Sequence, residues 1–220
     1  MVDLGHGLHI GPRSAGSTAT TVPQARSAGY DGSVAIAKRL PFTGDDEADR
    51  LLVEEPLALL IGFALDQQVT VQKAFSGPAE LKRRLGHLDA RRIADLDPAD
   101  LDATFRERPA LHRFPGSMAG RVQALCRTIA DEYDNDAAAV WTGVADGTEL
   151  EARILALPGI GPMKAGAIIA ILGKQLGVQP PGWEIVTPKH PTLGDVTTAA
   201  ELASYQASKR AHKASLKAGD

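Results

Sequence analysis

Apolar residues recur at helical spacing along most of this chain, and no segment alternates convincingly at period two. The clearest amphipathic stretch is residues 117–133, where apolar side chains fall three and four positions apart with arginines between them. Residues 56–65 (PLALLIGFAL) are apolar nearly all round, which predicts a buried helix. The pattern therefore predicts an all-α protein.

Polar and helix-breaking residues mark the ends of these helices. The polar triplet at residues 66–68 (Asp-Gln-Gln) interrupts the buried helix, which resumes as VTVQKAF. Gly77 and Pro78 are then expected to end that helix and to open another over residues 78–85, because proline is tolerated in the first turn. The succession of short helices predicts an orthogonal bundle.

Aspartates preceding helical patterns are expected to serve as N-caps. Asp97 stands directly before Pro98, and together they predict a helix over residues 98–106. Asp195 is expected to cap a C-terminal helix in the same way.

Composition divides the chain into three parts. Residues 1–38 are rich in Gly, Ser, Thr and Ala without periodicity, so we expect a disordered leader or a mis-assigned start. Residues 39–185 carry the helical pattern and are expected to form the main domain. Residues 186–220 hold five basic and three acidic side chains and are expected to form a basic helical tail.

Overall composition excludes several classes of function. The chain is 44% hydrophobic with a net charge of -3, and no apolar run is long enough to span a bilayer. The single cysteine, Cys126, excludes an intramolecular disulfide framework, a cysteine-ligated iron-sulfur cluster and a zinc knuckle. Cys126 lies in an apolar stripe, which favours a buried hydrophobe. We therefore expect a cytoplasmic protein without a metal centre or other cofactor.

Residues 157–161 (Leu-Pro-Gly-Ile-Gly) join two helical patterns and predict a helix-hairpin-helix. The glycines permit positive φ and leave no Cβ in front of the backbone, while Ile160 can fill the space between the helices. The free N-H groups at the start of the second helix then form an anion site that suits a DNA phosphate. The alternative is an ordinary tight turn without a ligand.

Two segments of the chain, LPGIGPMKAGAIIAI and LLIGFALDQQVTVQKAF, resemble the HhH-GPD superfamily of base-excision DNA glycosylases. The wider run from about Leu40 to Trp183, which includes FPGSMAGRVQALC, resembles a small actinobacterial group of that superfamily, here without an iron-sulfur cluster. The resemblance implies a two-lobed, endonuclease III-like helical fold. It also implies that the hairpin binds backbone phosphates while a base is flipped into the cleft, with a monovalent cation at the carbonyls of Leu157 and Gly159.

The resemblance also specifies where catalytic residues are expected. Bifunctional members carry a Schiff-base lysine at the position of Met163, so no lyase activity is expected, and the adjacent Lys164 is interpreted as a phosphate contact. Members carry an aspartate about twenty residues beyond the hairpin, and here Glu184 is the nearest carboxylate. Glu184 is therefore one candidate catalytic residue, although it is equally compatible with an ordinary surface residue. Asp66 is the other, because polar residues of that helix border the flipped base in the superfamily. The alternative for the neighbouring Gln67 and Gln68 is that they satisfy buried backbone groups.

The sequence thus predicts a DNA repair protein, cytoplasmic and associated with the nucleoid, that binds duplex DNA as a monomer. The predicted activity is monofunctional DNA N-glycosylase, and the alternatives are a non-catalytic lesion sensor and a helical scaffold. The predicted DNA contacts are Pro158, Gly159, Ile160, Gly161, Met163, Lys164, Gln67 and Gln68.

Overall fold

Helices make up the fold, and no strand occurs in the part of the chain that the computed structural model describes, residues 36–218. The all-α prediction is confirmed. The prediction for the leader falls largely on residues 1–35, outside the described part. The helices are α1 (Asp46–Glu54), α2 (Pro56–Leu65), α3 (Val71–Leu85), α4 (Ala90–Ala94), α5 (Pro98–Arg106), α6 (Pro115–Glu132), α7 (Gly147–Leu155), α8 (Pro162–Gln175), α9 (Trp183–Val186) and α10 (Ala199–Ala218), with 3-10 turns at Ala137–Val140 and Leu193–Asp195.

The core is built around α2, whose residues 57–65 are all buried. Helices α1, α3 and α6 pack against it, and α4 and α5 pack against α6. Phe75 lies edge-on to both Phe42 and Phe63, with ring centroids 5.1 Å apart in each pair. Each such buried aromatic side chain stabilises the fold by roughly 1.5–3 kcal/mol. A second group comprises α7, α8, α9 and the 3-10 turn at Leu193–Asp195, which pack on one another.

Helix α3 runs unbroken through Pro78, so the prediction of a new helix over residues 78–85 is wrong. A proline inside a helix removes one backbone hydrogen bond and costs about 3 kcal/mol. The helix persists because Gly77 and Pro78 lie on its buried face with Phe75 and Leu81. Burial of that face against α2 outweighs the local preference of the proline to end a helix.

Asp195 does not cap the C-terminal helix, contrary to the sequence prediction. Its carboxylate accepts hydrogen bonds from Thr192 and Lys174 and closes the 3-10 turn at Leu193–Asp195. Helix α10 begins four residues later, where the Thr198 hydroxyl accepts from the amide of Glu201 and the Glu201 carboxylate accepts from the amide of Thr198. This reciprocal pair is a capping box.

The amphipathic prediction for residues 117–133 corresponds to α6, with its apolar stripe buried. Cys126 is fully buried in that stripe, and burial raises the pKa of its thiol to about 12. The thiol therefore stays protonated and packs as a hydrophobic group. No helix among residues 36–218 is both long enough and apolar enough to cross a membrane.

Candidate nucleic-acid interface

The hairpin loop connects the end of α7 to the start of α8. Gly159 has φ +81°, a conformation that glycine adopts without a Cβ penalty. Ile160 is 5% exposed and fills the space between the helices, while its amide donates to the carbonyl of Leu157 at 3.1 Å. Pro162 is the first residue of α8. The predicted turn with an apolar plug is confirmed, except that Gly161 is extended, with φ -99° and ψ 177°.

The amides at the start of α8 carry no internal partner. Gly161 is the N-cap residue and offers no side chain to the helix. The first amide of this helix to be satisfied is that of Ala165, which donates to the Gly161 carbonyl. Gly161 and Met163 are exposed and Lys164 is half-buried, so their free N-H groups are open to a ligand. Uncapped amides and the positive end of the helix dipole together favour an anion.

Four of the other helices begin with an aspartate cap that α8 lacks, while α2, α6 and α9 also have no side-chain cap. Aspartate side chains accept hydrogen bonds from the first-turn amides of α1, α4, α5 and α7; they are Asp45, Asp89, Asp97 and Asp146. Each of these carboxylates fills the position where an external anion would bind. Helix α8 has a glycine there, and a Cβ built on Gly161 would meet nothing within 4 Å. The space in front of α8 is therefore open.

Arg121 on α6 contacts both the hairpin and the polar turn, residues 66–68, between α2 and α3. A Cβ on Gly159 would lie 2.6 Å from Cδ of Arg121, so the arginine packs directly against the hairpin backbone. The Arg121 guanidinium donates a hydrogen bond to Oε1 of Gln67. The two segments singled out in the sequence, residues 66–68 and 157–164, are thus adjacent in space.

His112 contacts the backbone of the polar turn. This histidine is buried, its Nε2 faces the carbonyl of Gln67 at 3.0 Å, and its Nδ1 accepts from the amide of Phe114 at 3.0 Å. These partners fit the neutral tautomer with the proton on Nε2. Burial lowers the pKa of His112, which keeps it neutral. Gln68 is exposed and has φ 56°, an uncommon conformation for a residue with a side chain.

Asp66 and Lys164 shift each other's titration across this interface. Burial raises the pKa of Asp66 above its ordinary value of 3.8, and the charges of Lys209 and Lys164 oppose that rise. Burial lowers the pKa of Lys164, while Asp66 raises it and Arg121 lowers it. The Lys164 ammonium also donates to the Gly159 carbonyl at 3.3 Å. The charges of two lysines therefore act on one half-buried carboxylate, and Arg121 acts on one of those lysines.

Large apolar side chains are exposed beside the polar turn and the hairpin. Phe114 is 41% exposed at the N-terminus of α6, and the Arg113 guanidinium lies 4.7 Å from its ring centroid. Met163 is 84% exposed in the first turn of α8. Such side chains can stack on bases or wedge between them.

Glu184 lies away from this group of residues. It is exposed in α9, and the neighbouring Trp183 packs on Gly173 near the C-terminal end of α8, where a Cβ would overlap the indole. Gly147, at the start of α7, contacts the same segment through Gly182. Helices α7 and α8 both meet the hairpin at their other ends. With a rise of 1.5 Å per residue, the length of α7 separates these ends by roughly 13 Å.

The two carbonyls predicted to bind a monovalent cation both accept internal hydrogen bonds. The carbonyl of Leu157 accepts from Ile160, and that of Gly159 accepts from Lys164. A cation at the hairpin would share these oxygens with their present donors. Among the described residues, no group of three or more His, Cys, Asp or Glu side chains could hold a metal ion.

Three residues of this interface were not singled out in the sequence: Arg121, His112 and Phe114. Arg121 lies on the polar side of the amphipathic α6. Its partner Gln67 is 54 residues away in the sequence, so no local pattern indicates their contact. His112 and Phe114 precede Pro115 in a segment without periodicity. Trp141, by contrast, is buried in the core.

No family model and no curated protein matches the chain.

Proposed function

We propose that this protein binds duplex DNA through the hairpin at residues 157–164 and acts in base-excision repair as a monofunctional DNA N-glycosylase of the HhH-GPD type. The observation that carries the proposal is the start of α8, which has a glycine at the N-cap position and no side-chain cap. Its first turn contains Lys164, whose charge acts on the half-buried carboxylate of Asp66. The free amides of Gly161, Met163 and Lys164 would hold a backbone phosphate. The described residues share one hydrophobic core, and the two-lobed arrangement expected for that superfamily stays a prediction.

The polar turn and Phe114 supply the parts that would meet the bases. Gln67 is oriented by Arg121 and His112, and Gln68 projects from a turn with positive φ. A glycosylase must unstack the target nucleotide, and polar or apolar side chains that fill the gap lower the cost of doing so. The positions of Gln68 and Phe114 beside the hairpin suit that task.

Asp66 is the carboxylate best placed for the chemistry. Cleavage of the glycosidic bond builds positive charge on the deoxyribose, which an ionised carboxylate in a poorly solvated site stabilises. Asp66 is half-buried next to Lys164, and Lys164 touches the hairpin. Glu184 is exposed at the far ends of α7 and α8. We assign the catalytic carboxylate to Asp66 and interpret Lys164 as a phosphate contact.

The second candidate is a DNA-binding lesion sensor without excision activity. The exposed position of Glu184, the residue nearest to the superfamily's aspartate in the sequence, favours it. Both candidates share the hairpin and its phosphate site. They differ only in whether Asp66 acts on a flipped nucleotide.

Excision assays on a panel of duplexes, each with one damaged base, test the proposal. We expect release of at least one base, without strand cleavage. Asp66→Asn should lower the rate about 10²–10³-fold, as loss of one electrostatic stabiliser does, while duplex affinity is kept. Glu184→Gln is the matched control and should retain the wild-type rate. Excision needs ionised Asp66, and the pKa of Asp66 is raised above its ordinary value of 3.8. As the pH is lowered, the excision rate should therefore begin to fall while the pH is still above 3.8.

The outcomes separate the candidates. Binding to the duplexes without excision anywhere in the panel would support the sensor. Loss of excision in Glu184→Gln with full activity in Asp66→Asn would overturn the assignment to Asp66.

A further inference from the structure

The second half of α10 is basic and has no acidic residue to balance it. Glu201, in the first turn, is the last acidic residue of the helix, and residues 202–218 contain none. Lys209, Lys213 and Lys217 follow at four-residue intervals, the spacing that keeps residues near one side of a helix. Lys209 and Arg210 are exposed. These two side chains thus present positive charge on α10.

The first half of α10 is anchored to the rest of the protein. Leu202 is 3% exposed, and Tyr205 packs against the core. Gln206 and Gln72 exchange hydrogen bonds through their side-chain amides at 2.9 and 3.3 Å. Gln72 lies in the first turn of α3, directly after the polar turn. The anchor therefore ends beside the proposed DNA site.

Lys209 follows Gln206 by about one helical turn. Its ammonium lies 5.3 Å from the ring centroid of Tyr205, and its charge acts on the Asp66 carboxylate, as does that of Lys164. Arg121 in turn acts on Lys164. The charges of two lysines thus act on one carboxylate, which leaves positive charge in excess at this position.

We propose that Lys209 binds a phosphate of the DNA strand held by the hairpin, so that α10 forms part of the DNA interface. This inference rests on the proposed DNA-binding function. The phosphates of a DNA backbone would neutralise the positive charge that Asp66 does not balance. Because the first half of α10 is anchored to the protein, Lys209 is in position before DNA binds. The net charge of -3 conceals this local concentration of cations.

The salt dependence of binding tests this role directly. Each phosphate contact contributes about -0.9 to the slope of log K against log salt concentration for duplex DNA. Binding of an undamaged fluorescent duplex should show a slope about one unit shallower for Lys209→Gln than for the wild type. Arg210→Gln is the matched control, because it removes the same charge from the adjacent residue, about 100° around the helix; it should change the slope by less than half a unit. Glutamine has nearly the helix propensity of lysine and arginine, so α10 should be retained.

A double variant separates a phosphate contact from a counter-ion of Asp66. With a phosphate contact, Asp66→Asn combined with Lys209→Gln keeps the shallower slope. If Lys209 only neutralises Asp66, the double variant regains the wild-type slope, and the inference is overturned. An unchanged slope in Lys209→Gln alone also overturns it. If the wild type does not bind the duplex at all, the proposed function itself fails.

Discussion

Asp66 and Glu184 carry the same carboxylate group in opposite surroundings. Asp66 ends a buried helix and is half-buried beside two lysines, whereas Glu184 is exposed on a four-residue helix. Both are candidates from the sequence, which gives their residue type and their positions along the chain relative to the hairpin and the buried helix. It could not rank them, because burial and the charges of Lys164 and Lys209 come from segments distant in sequence.

His112 shows the same dependence on distant partners, and its burial predicts how stability varies with pH. The pKa of folded His112 is lowered from its ordinary value of 6.5. Between that lowered pKa and 6.5 the unfolded chain binds more protons than the folded one. The free energy of unfolding should therefore fall as pH falls below 6.5, and His112 should add no pH dependence above it.

Chemical denaturation at a series of pH values measures this effect. His112→Gln should reduce the slope below pH 6.5, and the slope that remains belongs partly to His87, whose pKa is also lowered by burial. His190→Gln, at an exposed position, is the control and should leave the slope as in the wild type. An undiminished slope in His112→Gln would show that this histidine does not contribute.

At the scale of elements, the hairpin was predictable because its signal is local. Residues 157–161 contain the glycine that needs positive φ, the apolar plug and the proline that starts α8. The ends of α2 and α5 were predictable for the same reason. The unbroken α3 was not, because only packing against α2 keeps Pro78 inside a helix. Local chemistry thus determines this hairpin, whereas burial against α2 determines that α3 continues.

The two hairpin glycines should respond differently to the addition of a methyl group. Gly159→Ala requires a strained positive φ and displaces Arg121, so we expect a loss of about 1–3 kcal/mol in the free energy of unfolding. Gly161→Ala meets no neighbour and has an ordinary φ, so it should cost about 1 kcal/mol or less. Denaturant titrations of both variants compare them. Equal losses would contradict the hairpin geometry described above.

At the scale of the whole molecule, net charge is a poor guide to the partner. The chain is acidic overall, yet Lys164, Lys209 and Arg121 concentrate positive charge around the hairpin and the polar turn. Phosphate binding through backbone amides needs little additional charge. We therefore expect DNA binding to be localised to this face and to weaken steeply with salt. The all-α fold follows from the periodicity, but the meeting of residues 66–68 with 157–164 required the structure.

The central claim is that the start of α8 binds a DNA phosphate, and a bulky residue at Gly161 tests it most directly. Gly161→Leu places a side chain in the open space before the free amides, with a cost in stability of about 1 kcal/mol. Gly120→Leu is the control, because Gly120 is exposed on α6 and also has nothing within 4 Å of an added Cβ. Fluorescence anisotropy at low salt should show wild-type duplex affinity for Gly120→Leu and at least a tenfold loss for Gly161→Leu. Equal duplex affinity in the wild type, Gly161→Leu and Gly120→Leu would contradict the claim.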